Sequence, residues 1–247
     1  MTTLDLNADL GEGIGADEAL FQIVSSASIA CGGHAGDETT MRVALRAAKA
    51  RGVAVGAHPG FADPEHFGRR KLLLSAVELD TQVRSQVVNF CNLAVEEGVE
   101  VRYVKLHGAL ANMAAEEPAI AAVAFAAVTG VVRDLAILAI DNSAQLEVAT
   151  ALGFPVIREA YADRAYLPNG LLVPRSEPGA VLHDTGAIAE RAVRLALRSE
   201  IVAIDGTVIQ TEAQSLCIHG DTPEAVEMAR RVRAALEAEG IVVRAPY

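Results

Sequence analysis

Short apolar runs alternate with amphipathic helical patterns along the whole chain, and this alternation limits its fold more than any other feature. It is typical of a parallel β-sheet whose strands are joined by helices. Seven strand–helix units favour a single-domain α/β fold over residues 1–247, a (β/α) barrel that is seven-stranded and distorted, with a doubly wound open sheet as the alternative. The seven predicted strands are residues 4–8, 28–30, 53–57, 101–105, 135–140, 156–158 and 215–218.

The predicted helices carry recognisable end signals. Asp37 is predicted to cap a helix that ends at Gly52, and Ser75 is predicted to form a capping box with Glu78. The other signals, which are polar residues or proline at a start and glycine at an end, are Gly98, Pro118, Gly130, Asn142 with Gln145, Gly153, Thr185, residues 221–224 and Gly240.

The composition argues against several classes of partner. The 247 residues carry a net charge of −11, and only 4% of them are aromatic, which disfavours binding to nucleic acid or to an anionic membrane surface. No apolar run approaches the roughly 18 residues of a membrane span, and the N-terminus lacks a signal-peptide pattern. Three cysteines without paired spacing fit a reducing compartment, so we predict a cytoplasmic protein.

Four of the six histidines follow an apolar run and precede a glycine within two residues: His34, His58, His107 and His219. This pattern is expected at the carboxyl ends of buried parallel strands, where α/β proteins build their sites. His34 and His58 could bind a divalent metal with Asp9, or the imidazoles could serve as acid–base groups. His219 follows the last strand, so it is predicted to lie apart from the other three, with Asp221 at the closing seam.

Other polar residues are predicted to lie at the same rim. Alternation places Asp5, Asn7 and Asp9 on one face of the first strand, which is either the barrel interior or the solvated face of an edge strand. Lys105 shares a face with His107, and it could bind an anionic group or pair with a carboxylate such as Glu159.

Two long irregular stretches follow predicted strands, at residues 59–74 and 160–184. Loops of this length are usually functional or mobile. Arg69 in the first stretch could meet a phosphate or carboxylate, and Asp163 and Arg164 in the second could close over a ligand. Solvated loop charge is the alternative interpretation of all three residues.

Together these segments resemble the LamB/YcsF family. The motifs that carry the resemblance run in order through the chain, at residues 5–12 (DLNADLGE), 30–37 (ACGGHAGD), 56–60 (GAHPG), 67–70 (FGRR), 105–110 (KLHGAL), 159–166 (EAYADRAY) and 219–221 (HGD). The chain departs from the family pattern at Gly33, Leu106 and Ala111, changes that would widen the pocket.

The resemblance implies a seven-stranded barrel like those of polysaccharide deacetylases, and one component of an ATP-dependent 5-oxoprolinase. That enzyme hydrolyses the lactam 5-oxoproline to L-glutamate together with two further subunits. The chain has no phosphate-binding loop, so ATP would be bound on a partner. The predicted catalytic residues are Asp9, His34, His58, Lys105 and His107, and the predicted substrate-binding residues are Asn7, Glu12, Arg69, Glu159, Asp163, Arg164 and His219.

Two other functions remain open at this point. The first is a metal-dependent amidohydrolase or deacetylase on the same barrel, with Asp9, His34 and His58 as ligands. The second is a non-catalytic subunit that binds a ligand or stabilises its partners. A homo-oligomer is compatible with each of these functions.

Overall fold

Seven parallel strands close into a barrel in the computed structural model, which describes residues 2–14, 16–132, 134–219 and 224–247. Each strand pairs with the next along the chain, and the last pairs with both the sixth and the first. The predicted barrel is therefore confirmed, and the open-sheet alternative is wrong. The barrel strands are β1 Thr3–Leu10, β2 Ser26–Ala30, β3 Ala54–His58, β4 Val101–Val104, β5 Ala136–Ile140, β6 Val156–Tyr161 and β9 Ser215–His219.

Helices surround the barrel and bury their apolar faces against it. In the described ranges they are α1 Asp17–Leu20, α2 Glu38–Arg51, α3 Ala76–Glu96, α4 Gly108–Glu116, α5 Pro118–Val128, α6 Ala144–Ala151, α7 Thr185–Arg198 and α8 Ala225–Ala238. Three short strands lie outside the barrel: β7 Glu200–Val202 and β8 Val208–Gln210 form an antiparallel pair, and β10 Val242–Val243 pairs with β1. None of the described helices is long and apolar enough to span a membrane.

Capping boxes start the two helices for which the sequence predicts the clearest signals. Asp37 accepts a hydrogen bond from the Thr40 backbone N–H at 2.8 Å, and Ser75 accepts one from Glu78 at 3.3 Å. In each box the side chain of the third helical residue accepts a hydrogen bond from the backbone N–H of the cap residue. The distances are 2.7 Å from Asp37 N to Thr40 Oγ1 and 2.8 Å from Ser75 N to Glu78 Oε2. These bonds satisfy backbone N–H groups that the helix itself leaves unpaired.

The predicted cap at Asn142 is wrong. The residue before α6 is Ser143, and no side-chain bond caps this helix. Asn142 has a φ of 58°, which lets the chain turn sharply after β5, and its side chain donates to the Gln210 carbonyl instead. Of the start signal predicted at residues 221–224, residues 221–223 lie outside the described residues, and Glu224 is the residue directly before α8.

A local irregularity distorts the barrel between β3 and β4, where the strand register shifts at Val55 and Gly56. The ring of Tyr103 occupies the space above Gly56, so a Cβ atom there would lie 2.1 Å from the ring. Tyr103 is fully buried, and its hydroxyl lies 3.1 Å from Ser28 Oγ. Its ring also stacks on Tyr247, which closes this end of the barrel and leaves the opposite end for a site.

Candidate active site

A cavity of about 310 Å³ opens at the carboxyl ends of the barrel strands. Asp9 of β1, His58 of β3 and His219 of β9 line it, together with Lys105 and His107, which follow β4. Three larger cavities have volumes of about 380, 490 and 610 Å³, and no histidine among the described residues lines any of them. The chemistry-bearing side chains therefore converge on the smaller cavity, at the rim where barrels build their sites.

Lys105 is the buried cation at the floor of this cavity. Its Nζ donates to Asp9 Oδ1 at 2.9 Å, lies 2.8 Å from Glu159 Oε1, and also contacts Asn7 Oδ1 and Cys217 Sγ. Burial is the largest single influence and would lower the pKa of Lys105, but the acidic groups around it, Asp9 first, together outweigh burial and hold this pKa well above its usual range. Lys105 is therefore a fixed positive charge rather than a neutral amine.

Asp9 links Lys105 to the histidines. Its Oδ2 lies 3.4 Å from His58 Nε2, opposite the oxygen that accepts from Lys105. Burial would raise the pKa of Asp9, yet His58 and Lys105 together hold it well below its usual range. Asp9 is consequently a carboxylate at neutral pH.

The rest of the first-strand polar face lies deeper in the barrel. Asn7 Nδ2 donates to Glu159 Oε1 at 3.0 Å and to Ser215 Oγ at 2.8 Å, so its amide supports the floor from below. Asp5 accepts hydrogen bonds from three serine hydroxyls, and burial raises its pKa. Both residues are at most 1% exposed, which rules out the solvated edge strand.

His34, His58 and His107 form a tight cluster beside Asp9. The His34 and His107 rings stack with centroids 3.5 Å apart, and the His58 ring stands perpendicular to both. Burial, followed by the neighbouring imidazoles, lowers the pKa of His34 and of His107 well below the usual range. Both rings are therefore neutral at physiological pH.

Glycines bring the loop at residues 59–74 against this cluster. A Cβ atom on Gly60 would lie 3.1 Å from His34 Nδ1, and one on Gly68 would lie 2.7 Å from His34 Cβ. Glu12, which follows β1, reaches the cluster from another side, with its Oε1 3.1 Å from His34 Nε2. The predicted grouping of three histidines is thus present, with Glu12 as an additional member.

His219 lies at the seam where β9 meets β1, next to Asp9 in register. Its partner is Asp163 from the second long loop, whose carboxylate oxygens both lie 2.9 Å from His219 Nδ1. Burial would raise the pKa of Asp163, but the charge of His219 and its hydrogen bond lower this pKa below its ordinary value. The predicted partner Asp221 lies outside the described residues.

The two predicted arginines take different positions. Arg69 lines the cavity and lies over the Phe67 ring, 4.9 Å from its centroid. Arg164 also touches the cavity, but its guanidinium donates to the carbonyls of Ala180 and Val173, and so it holds the second long loop together. Burial lowers its pKa below the ordinary arginine value.

Sequence reasoning missed four polar residues of the cavity wall, Lys71, Asn112, Arg175 and Ser176. Lys71 and Arg175 lie within the two long loops that the sequence singled out, so loop length was the available signal. Asn112 lies on α4, one turn after His107, and no sequence feature distinguished it.

Two groups of described side chains have donor atoms close enough together to hold a metal ion. One is Glu12 with His34, His58 and His107, and the other is Asp9 with Cys217 and His219. The metal set predicted from sequence takes its two histidines from the first group and its aspartate from the second. Three imidazoles with a carboxylate are a donor set that suits zinc.

Comparison with known proteins identifies relatives over the whole chain. The family model described as LamB/YcsF matches residues 4–247. The 5-oxoprolinase A subunit of Rhodopseudomonas palustris (strain BisB18) is 47% identical over 253 residues, covering 100% of this chain and 99% of the relative. Among solved structures, a lactam utilization protein from Thermus thermophilus superposes with a TM-score of 0.91 at 42% identity, covering 98% of this chain and 99% of the other.

A more distant structural neighbour shows the fold alone. The polysaccharide deacetylase Bc1974 from Bacillus cereus matches with a TM-score of 0.50 at 11% identity, covering 100% of this chain and 93% of the other. The expected likeness to deacetylase-type barrels is confirmed at the level of fold.

Proposed function

The chain belongs to the LamB/YcsF family, and we propose that it is the component of a 5-oxoprolinase that binds the lactam 5-oxoproline and opens it to L-glutamate. The observation that carries this proposal is the cavity at the barrel mouth, where cationic side chains surround a buried carboxylate–histidine pair. The names of the relatives, a 5-oxoprolinase component and a lactam utilization protein, support the same substrate.

The cavity has the properties that a small anionic lactam requires. Its volume of about 310 Å³ is at the lower end of the range for small-molecule sites. Arg69, Lys71 and Arg175 contribute positive charge to its wall, and such groups bind a substrate carboxylate by charge-assisted hydrogen bonds. The floor carries Lys105, whose ammonium is bound to Asp9 and Glu159 and so holds the Asp9 carboxylate in place beneath the substrate.

Opening a lactam adds water across its C–N bond, so hydroxide joins the carbonyl carbon and a proton joins the leaving nitrogen. A group that holds and delivers a proton is therefore needed at the cavity. His219 is placed for this task, because Asp163 accepts from its Nδ1 and directs Nε2 away from that bond. Asp9, His58 and His107 border the same space and complete the proposed reaction centre.

We propose that ATP binds to another subunit of the complex rather than to this chain. The relatives are named as one lettered subunit of their enzyme, which implies a multi-subunit assembly, and we propose two further subunits, of which one binds the nucleotide. Residues 1–247 would then be one catalytic domain of a cytoplasmic complex, and this chain could also self-associate.

The test is a reconstituted assay in which Arg69→Met is compared with Arg70→Met. Both variants remove a cation from the same loop, but of the two arginines only Arg69 lines the cavity. The complex is expected to release glutamate and ADP from 5-oxoproline and ATP. Arg69→Met should raise the KM for 5-oxoproline about 10- to 100-fold, the loss typical of a charged hydrogen bond, while Arg70→Met leaves KM unchanged.

Turnover of 5-oxoproline that persists when this chain is omitted would contradict the proposal. Equal KM values for the two variants would contradict the placement of the substrate in this cavity. Acetate release from an acetylated sugar without ATP would favour the deacetylase alternative.

A further inference from the structure

We infer that Glu12, His34, His58 and His107 form a binding site for one divalent cation of the zinc class. The site shares His58 and His107 with the proposed reaction centre, but its test measures ion binding rather than turnover, so it can fail without the failure of the proposed function. It starts from a close contact between nitrogen atoms of two imidazole rings.

The contact joins His58 Nε2 and His107 Nδ1, which lie 3.0 Å apart. The opposite nitrogen of each ring faces a backbone carbonyl, at 2.8 Å from His58 Nδ1 to Lys105 O and at 2.9 Å from His107 Nε2 to Phe67 O. A carbonyl can only accept, so these outer nitrogens carry the protons. Unless a further proton is bound, the two nitrogens that face each other then both present lone pairs.

Two lone pairs at this distance repel each other unless a cation lies between them. A single proton would satisfy the two histidines, and a hydrogen bond from His34 Nε2 to Glu12 Oε1 would satisfy the other two groups, so the observation that points to a metal is the convergence of all four donors. Glu12 Oε1 lies 3.1 Å from His34 Nε2 and 3.6 Å from His107 Nδ1, and all four donor atoms lie within 4.8 Å of one another. Four converging donors are the requirement of a metal ion rather than of a proton.

The spacing suits tetrahedral coordination. Zinc–nitrogen and zinc–oxygen bonds of about 2.0–2.1 Å place neighbouring tetrahedral ligand atoms roughly 3.3 Å apart. Three separations between donor atoms of the cluster are 3.0, 3.1 and 3.6 Å, on both sides of that value. Three imidazole nitrogens favour zinc over magnesium and calcium, which prefer oxygen ligands.

His34 is the ligand that must move. Its ring is parallel to that of His107 within 5°, so one ion cannot lie in the planes of both rings at once. His34 Nδ1 is buried and has no hydrogen-bond partner among the described residues. Tilting His34 therefore breaks no hydrogen bond at Nδ1, whereas His58 and His107 are each fixed from behind by a carbonyl, as metal-binding histidines usually are.

The experiment is zinc binding to the untagged full-length chain after removal of bound metal by a chelator. Calorimetric titration with zinc sulfate should give one ion per chain, and titration with magnesium chloride should give no saturable binding. Glu12→Gln keeps the side-chain volume, and it should weaken zinc binding at least about tenfold, since even groups that support metal ligands from behind contribute that much. His183→Gln, at an exposed histidine outside the cluster, should bind zinc like the parent.

A second variant and a folding measurement distinguish loss of a zinc ligand from misfolding. His34→Gln should also lose zinc affinity, and circular dichroism of the metal-free forms checks that both variants are folded. Absence of stoichiometric zinc binding by the parent would overturn the inference, because a proton shared by His58 and His107 would then account for their contact. Parent-like affinity in a folded Glu12→Gln variant would also overturn it.

Discussion

Replacing Asp163 with asparagine is expected to lower the rate of glutamate formation by about 100- to 10,000-fold, the usual contribution of a positioned acid–base group. The carboxylate accepts from His219 Nδ1 at 2.9 Å, which places the proton on Nδ1 and leaves Nε2 available to the cavity. An asparagine amide can donate to Nδ1 and thereby stabilise the opposite tautomer. The measurement is kcat of the reconstituted complex with saturating 5-oxoproline and ATP.

Asp205→Asn is the matched control, because Asp205 is an exposed turn residue that accepts from the Thr207 backbone. It should leave kcat unchanged. Gel filtration of each complex separates a catalytic defect from a failure to assemble. An assembled Asp163→Asn complex with the parent kcat would show that the Asp163–His219 pair does not transfer the proton.

Lys105→Met is expected to destabilise the fold by about 3–5 kcal/mol, because it leaves the carboxylates of Asp9 and Glu159 buried without their cation. For a chain of 247 residues this corresponds to a fall in Tm of roughly 6–20 °C. Thermal unfolding followed by circular dichroism measures the difference. Adding Glu159→Gln to Lys105→Met should restore part of the lost stability, since it removes one of the two unpaired charges.

The control is Lys49→Met, whose parent ammonium lies at the surface and bonds the Glu97 carbonyl. Lys49→Met should change the free energy of unfolding by no more than about 0.5 kcal/mol.

The stabilisation by the Asp9 carboxylate depends on pH with a defined sign. The folded-state pKa of Asp9 is depressed, so this stabilisation is present above the unfolded-state pKa and is lost as pH falls through the folded-state pKa. The difference in the free energy of unfolding between the parent and Lys105→Met should therefore become smaller in acid. A difference of equal size at all pH values would contradict this electrostatic origin.

The strands were predictable because each apolar run is a local signal, whereas the closure of the barrel was predicted only from the number of strand–helix units and from the family resemblance, with an open sheet as the alternative. Closure depends on the pairing of β1 with β9, whose partners Asp9 and His219 are more than two hundred positions apart. Local signals also failed at Asn142, because the turn after β5 needed a residue that tolerates positive φ rather than a cap.

The site was predictable one residue at a time but not in its pairings. Strand-end position alone predicted His34, His58 and His107 at the rim, and the structure brings their rings together. The bonds from Asp163 to His219 and from Glu12 to His34 cross between distant segments, so no spacing rule could assign them. Whether each predicted residue acts on substrate is a question for the variants proposed above.

The central claim is that His219 moves a proton for lactam opening in the cavity of this chain. The most direct test is glutamate formation by a complex in which this chain carries His219→Ala, with and without imidazole in the buffer. We predict a loss of at least about 100-fold, with partial recovery when imidazole is added, while His183→Ala keeps the parent rate. The parent rate in the assembled His219→Ala complex without imidazole would contradict the claim.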